Sequence, residues 1–140
     1  MSRNVPGGVL PSSVTTILRI EGLAALAAAV VAYQFAGGNW WIFFLLLFAP
    51  DLSILGLLAG EKSGARIYNL AHTYSVPAAL AALAWTTSLT WLVPVAIVWV
   101  AHIGLDRAIG YGLKYPSSFE VTHLGVMGKK KKAAALANAR

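Results

Sequence analysis

The chain has 140 residues, 58% of them hydrophobic and only 11% charged, with a mean hydropathy of +0.68, a balance too apolar for a water-soluble domain and suited to a bilayer. A spanning helix takes about 20 mostly apolar residues, so this length holds at most about four spans and no sizeable soluble domain. The absence of Cys excludes disulfides, thiolate metal sites, iron–sulfur ligation and thiol nucleophiles, and the net charge of +6 comes largely from Lys129, Lys130, Lys131 and Lys132, without the basic, aromatic-interleaved stripe of a nucleic-acid binder.

The opening segment, with Pro6, Gly7, Gly8 and Pro11, reads as a loop and lacks the charged region, short apolar core and small-residue cleavage site of a signal peptide. A first span is predicted over about 14–36, capped by Ser12 or Ser13 and closed by Gly37 and Gly38. A second runs over about 40–60, from Trp40 and Trp41 at the headgroup level to Gly60. A third covers about 65–86 and, after a short connection, a fourth covers about 91–111. Pro50 and Pro77 each remove an N–H within a span and should kink it, leaving the carbonyls of Leu46 and Thr73 without their usual partners. Beyond Pro116 the chain is too short to span again, and an interfacial helix is predicted there, bringing Phe119 and His123 under the bundle. One domain, 1–128, is followed by a basic, Ala-rich flexible tail, 129–140, whose lysines act as a topology signal.

The loops at about 37–39 and 86–90 carry no charge, whereas Arg3, then Lys62 and Arg66, then Lys114 and the lysine run all fall on the other side of a four-span topology. Positive loops stay in the cytoplasm. The expected fold is therefore all-α: a four-transmembrane-helix bundle with both termini cytoplasmic, multi-pass in the cell (inner) membrane.

Counting about 1.5 Å per residue from the cytoplasmic helix ends puts Asp51 and His102 roughly 13 Å deep, Glu21 and His72 about 10 Å and Asp106 about 7 Å. These groups share one layer. An acid at the bilayer centre costs at least about 2.5 kcal/mol, and such groups usually face the bundle interior and act. His102 and Asp106 are one helical turn apart on one face, a spacing that serves metal ligation or a carboxylate orienting an imidazole. Tyr68, Asn69 and His72 form a polar stripe expected to face His102, with Tyr68 and Asn69 structural. Asp51 follows the Pro50 kink, where unsatisfied backbone admits water or a ligand. Arg19 and Glu21 cannot face the same point of a helix, so Arg19 should snorkel and Glu21 turn inward.

Three strings, PDLSILGLLAG at 50–60, GARIYNLAHTYSVP at 64–77 and AHIGLDRAIGYGLKYPSSFEVTHLG at 101–125, resemble a bacterial integral-membrane family, domain-of-unknown-function family 4260. The resemblance covers about 16–128 and implies a small bacterial membrane protein. It carries no activity with it, although Asp51, His72, His102, Asp106 and His123 all lie inside the three strings.

The first functional reading is a metal-dependent membrane hydrolase. Asp51, His72, His102 and Asp106 would supply two imidazoles and two carboxylates to Zn, Fe or Mn. The ion would activate water against a lipid or other amphipathic substrate entering between helices, with Glu21 or His123 as general base and Arg107 binding a headgroup phosphate. The second is a proton- or cation-coupled carrier or small channel, since chains of Asp, Glu and His also form relays; a four-span chain would need to homo-oligomerise to make a pore, and the outer half offers only Tyr33, Gln34, Thr87 and Thr90 as polar steps. A third is an interaction bundle in which these groups only fix helix register. A haem held by His72 and His102 is a further candidate for the same residues.

Overall fold

The computed structural model describes residues 11–128. Arg3, the proline–glycine segment before Pro11, the lysine run and the tail 129–140 lie outside the described residues.

Helix α1 spans Ser12–Phe35. It begins on Ser12 rather than after a serine cap: Pro11 flanks it, and the hydroxyls of Thr15 and Thr16 each donate back to the Ser12 carbonyl at 2.9 Å. It ends at Gly37, whose φ of +68° reverses the chain where a side chain would be strained. Asn39 then caps α2 (Trp40–Leu47) by accepting from the Trp41 amide at 2.8 Å, and Tyr33 ties the turn by donating to the Asn39 carbonyl at 2.9 Å.

The predicted second span is one apolar run in two conformations. Pro50 cannot donate to the α-helical ladder, and from Ala49 to Ala59 the backbone tightens into a 3₁₀ helix, beginning with Asp51 N–H bonded to the Phe48 carbonyl at 3.1 Å. The predicted third span divides into α3 (Glu61–Ala71) and α4 (Ser75–Thr87). The break falls at His72 to Tyr74, ahead of Pro77, which then occupies the first turn of α4 where no donor is required. Nor is the Thr73 carbonyl orphaned: it accepts from Val76 N–H at 3.3 Å. Helix α5 runs over Leu92–Ile109.

Three helical stretches, Ser12–Phe35, Trp40–Ala59 and Leu92–Ile109, are long and apolar enough to cross a membrane, while α4 is apolar but shorter. Their outer surfaces leave Phe35, Trp41, Leu45, Leu58 and Trp85 exposed, and burial concentrates on α5, which packs against α1, α2 and α4. Its Val98 and Ala101 meet Ala29 and Tyr33 of α1 and Phe43 and Leu47 of α2 in one apolar core.

The interfacial helix expected after Pro116 is absent from the described residues, and an antiparallel sheet stands in its place: β1 (Lys114–Tyr115), β2 (Ser118–Thr122) and β3 (Gly125–Val126) in that spatial order. The local reason lies in the residues themselves. Pro116 and Ser117 form a tight turn, Phe119, Val121 and Thr122 favour extended backbone, and the fully buried Thr122 hydroxyl donates to the Gly125 carbonyl at 2.9 Å, closing the second turn. The sheet packs on α3.

Candidate metal centre

Four side chains from three segments converge. Asp51 comes from the first turn of the 3₁₀ helix, His72 caps the C-terminus of α3, and His102 and Asp106 lie one turn apart on α5. His72 is held where it is because α5 satisfies the terminal carbonyls of α3 that no helix turn can reach. Trp99 Nε1 donates to the Ala71 carbonyl at 2.7 Å, and Arg107 Nη2 donates to the His72 carbonyl at 3.1 Å.

The two imidazole Nε2 atoms are 3.0 Å apart. Asp51 Oδ1 lies 3.5 Å from His72 Nε2 and 3.6 Å from His102 Nε2, and Asp106 Oδ2 lies 3.5 Å and 3.8 Å from the same two atoms. One ligand atom from each residue falls within 4.8 Å of every other. Four donors about 2.0–2.1 Å from a tetrahedral ion sit about 3.3–3.4 Å from one another, and the imidazole pair and the four imidazole–carboxylate separations, 3.0–3.8 Å, lie close to that spacing. The histidine side chains are 1–2% exposed and that of Asp106 10%, whereas that of Asp51 is 40% exposed, so the site is walled on three sides and open at Asp51.

The surroundings prepare these atoms to act as ligands. His72 Nδ1 faces the Tyr68 carbonyl at 2.8 Å; a carbonyl only accepts, so Nδ1 carries the proton and Nε2 turns its lone pair to the centre. Tyr68 also stacks on the His72 ring at a centroid distance of 3.7 Å and donates its hydroxyl to Asp106 Oδ2 at 3.1 Å. His102 Nδ1, by contrast, is buried and has no hydrogen-bond partner among the described residues, so nothing outside the quartet fixes the tautomer of that ring. A haem does not fit this geometry. With the two Nε2 atoms in mutual contact and carboxylate oxygens beside them, the plane that a macrocycle would need is already filled.

The other predicted site residues gather elsewhere. Glu21, Arg107 and His123 line a pocket of about 160 Å³ against α1 and Tyr74, and neither Glu21 nor His123 borders the cavity beside Asp51. Arg107 is committed internally, donating to the carbonyls of His72 at 3.1 Å and Tyr111 at 3.3 Å. His123 Nδ1 accepts from the Leu113 amide at 2.9 Å. Burial and the Arg107 charge push its pKa below the ordinary histidine value. Arg19 is exposed, its Nε donating to the Ala108 carbonyl at 2.9 Å near the end of α5, and Glu21 is exposed as well rather than turned inward.

Charge counting alone reads Lys114 as a topology marker, yet it is 6% exposed, and its ammonium lies near the ring of Tyr68. The only sign in the sequence is its position, a lone lysine between the end of an apolar helix and a Tyr-Pro turn.

The chain matches the family described as a domain of unknown function, DUF4260, over residues 15–127. No curated protein and no solved structure matches it.

Proposed function

The chain belongs to the DUF4260 family, and from that membership and its own geometry we propose that it is a multi-pass membrane protein using Asp51, His72, His102 and Asp106 to hold a divalent Zn, Fe or Mn ion for hydrolysis of a lipid or other amphipathic substrate. The observation that carries the reading is the convergence of four ligand atoms within 4.8 Å of one another. Two carboxylates balance the charge of one dication, which lowers the cost of burying them. An ion at this point would supply Lewis acidity and an activated water. The remaining work belongs to the chain. Tyr68 fixes the His72 tautomer through its carbonyl and orients Asp106 through its hydroxyl. Asp51 presents the open side to a cavity of about 410 Å³, reached beside apolar helix faces that a bilayer would cover.

The Nε2–Nε2 approach of 3.0 Å also fits one proton shared between the rings, the arrangement a proton-coupled carrier would use. The two readings part on metal content. Elemental analysis of the full chain, purified in neutral detergent without added chelator, is expected to find close to one equivalent of Zn, Fe or Mn. In His102→Ala and in Asp51→Ala that content is expected to fall at least about tenfold, the cost of losing one strong ligand from a site built of four. A stable wild type free of metal overturns the hydrolase reading and leaves the relay.

A further inference from the structure

The cavity beside Asp51 contains a buried cation that the metal quartet does not use. Asn69 clamps the backbone of Lys114 from both sides, accepting from its N–H at 2.6 Å and donating to its carbonyl at 2.8 Å. The side chain then runs inward until Nζ stands 4.7 Å from the ring centre of Phe119, 5.0 Å from that of Tyr68 and 5.9 Å from that of Tyr111. Its hydrogen-bond partner is the Met127 sulfur at 3.3 Å, a weak acceptor for a group with three strong donors. No carboxylate oxygen of a described residue lies within ion-pairing distance of Nζ, although Glu120 borders the same cavity. An ammonium buried in this way is costly unless something answers it. Burial pushes its pKa down while the charges of Asp106 and Asp51 draw it partly back up. Once those carboxylates serve a divalent ion, Lys114 keeps its aromatic and thioether contacts but has no carboxylate in ion-pairing contact, and it faces about 410 Å³ of mainly apolar space.

We infer that Lys114 positions the substrate, its ammonium holding the oxyanion of an amphipathic molecule, a carboxylate or a phosphate, whose apolar body lies over Phe119 and Ile54 next to Asp51. The inference deepens the metal-centre reading and takes from it only the location of the reacting group.

The test is calorimetric titration of the zinc-loaded full chain in dodecyl maltoside with dodecanoate, dodecyl phosphate and, as the uncharged control, dodecanol, with metal content measured on each sample. At least one anionic amphiphile is expected to bind at least about tenfold more tightly than dodecanol. Lys114→Met should weaken that binding by a similar factor, since a hydrogen bond to a charged group is worth about that much. Its metal content should not change, and Lys114→Arg should keep most of the affinity. Whichever of the two anions binds identifies the headgroup. Should Lys114→Met not fold, Lys114→Gln takes its place against Lys114→Arg. Equal binding by the wild type and the neutral variant, no binding of either anion, or dodecanol binding as well as the anions would overturn the inference. A wild type that holds no metal but binds the anion through Lys114 overturns the metal reading alone.

Discussion

The His123 imidazole ties the sheet to the chain that follows α5. Its Nδ1 accepts the Leu113 amide at 2.9 Å, so that nitrogen must be unprotonated when the sheet is docked. Burial and Arg107 hold the folded pKa below the ordinary value of about 6.5. The unfolded or undocked chain therefore binds the proton more readily, and the stability of the docked sheet is fully present above about 6.5 and declines as pH falls through the window below it. Amide hydrogen exchange across 113–126 should quicken between pH 7 and pH 5.5 relative to α5, after correction for intrinsic rates, and His123→Gln should abolish that difference. An unchanged ratio in the wild type would show that the imidazole does not gate the sheet. At this scale the sequence was informative about the acids and histidines, because ionisable groups stand out against an apolar background. It was uninformative about Lys114, since a lysine near a helix end looks the same whether it meets water or three aromatic rings.

Among the elements, α5 organises the site because its backbone comes close to that of α1. A Cβ at Gly104 would lie 2.7 Å from the Gly22 carbonyl oxygen and 2.7 Å from Leu26 N, and one at Gly22 would strike the Arg107 Cβ, so the pair functions as a glycine contact that brings the helices together. His102 and Asp106 flank Gly104 on the same helix. Gly104→Val should force the backbones apart and cost about 1–3 kcal/mol, as overpacking of a tight interface does; a thermal midpoint in detergent equal to that of the wild type would contradict this. Element boundaries were legible where a residue constrains its own backbone, as at Gly37 and Pro50. They were misread where a neighbour decides. The third apolar stretch breaks at His72 because side chains of α5 satisfy the α3 carbonyls there, and the segment after Pro116 forms strands because two tight turns and β-favouring residues outweigh its amphipathic character.

For the molecule as a whole, the expected orientation makes an accessible prediction. Residue 36 and residue 62 should face opposite sides of the membrane. The chain has no Cys, and Ala36 and Lys62 are both exposed, so single-cysteine variants at these positions report cleanly. In intact cells a membrane-impermeant maleimide is expected to label Ala36→Cys at once and Lys62→Cys only after permeabilisation, with a signal ratio of at least about tenfold if loops without Lys or Arg are outside. Labelling of both from one side would refute that topology.

The sequence by itself determined where the apolar helical segments lie and which ionisable residues stand out within them, because hydropathy, proline chemistry and one-turn spacing act within a single segment. Only the tertiary structure decided that Asp51 and His72 join His102 and Asp106 at one point, that Glu21, Arg107 and His123 gather at another, and that Lys114 turns inward. Each depends on the rotation and separation of segments up to 102 positions apart, from Glu21 to His123, set by close packing and by side chains that satisfy another element's backbone.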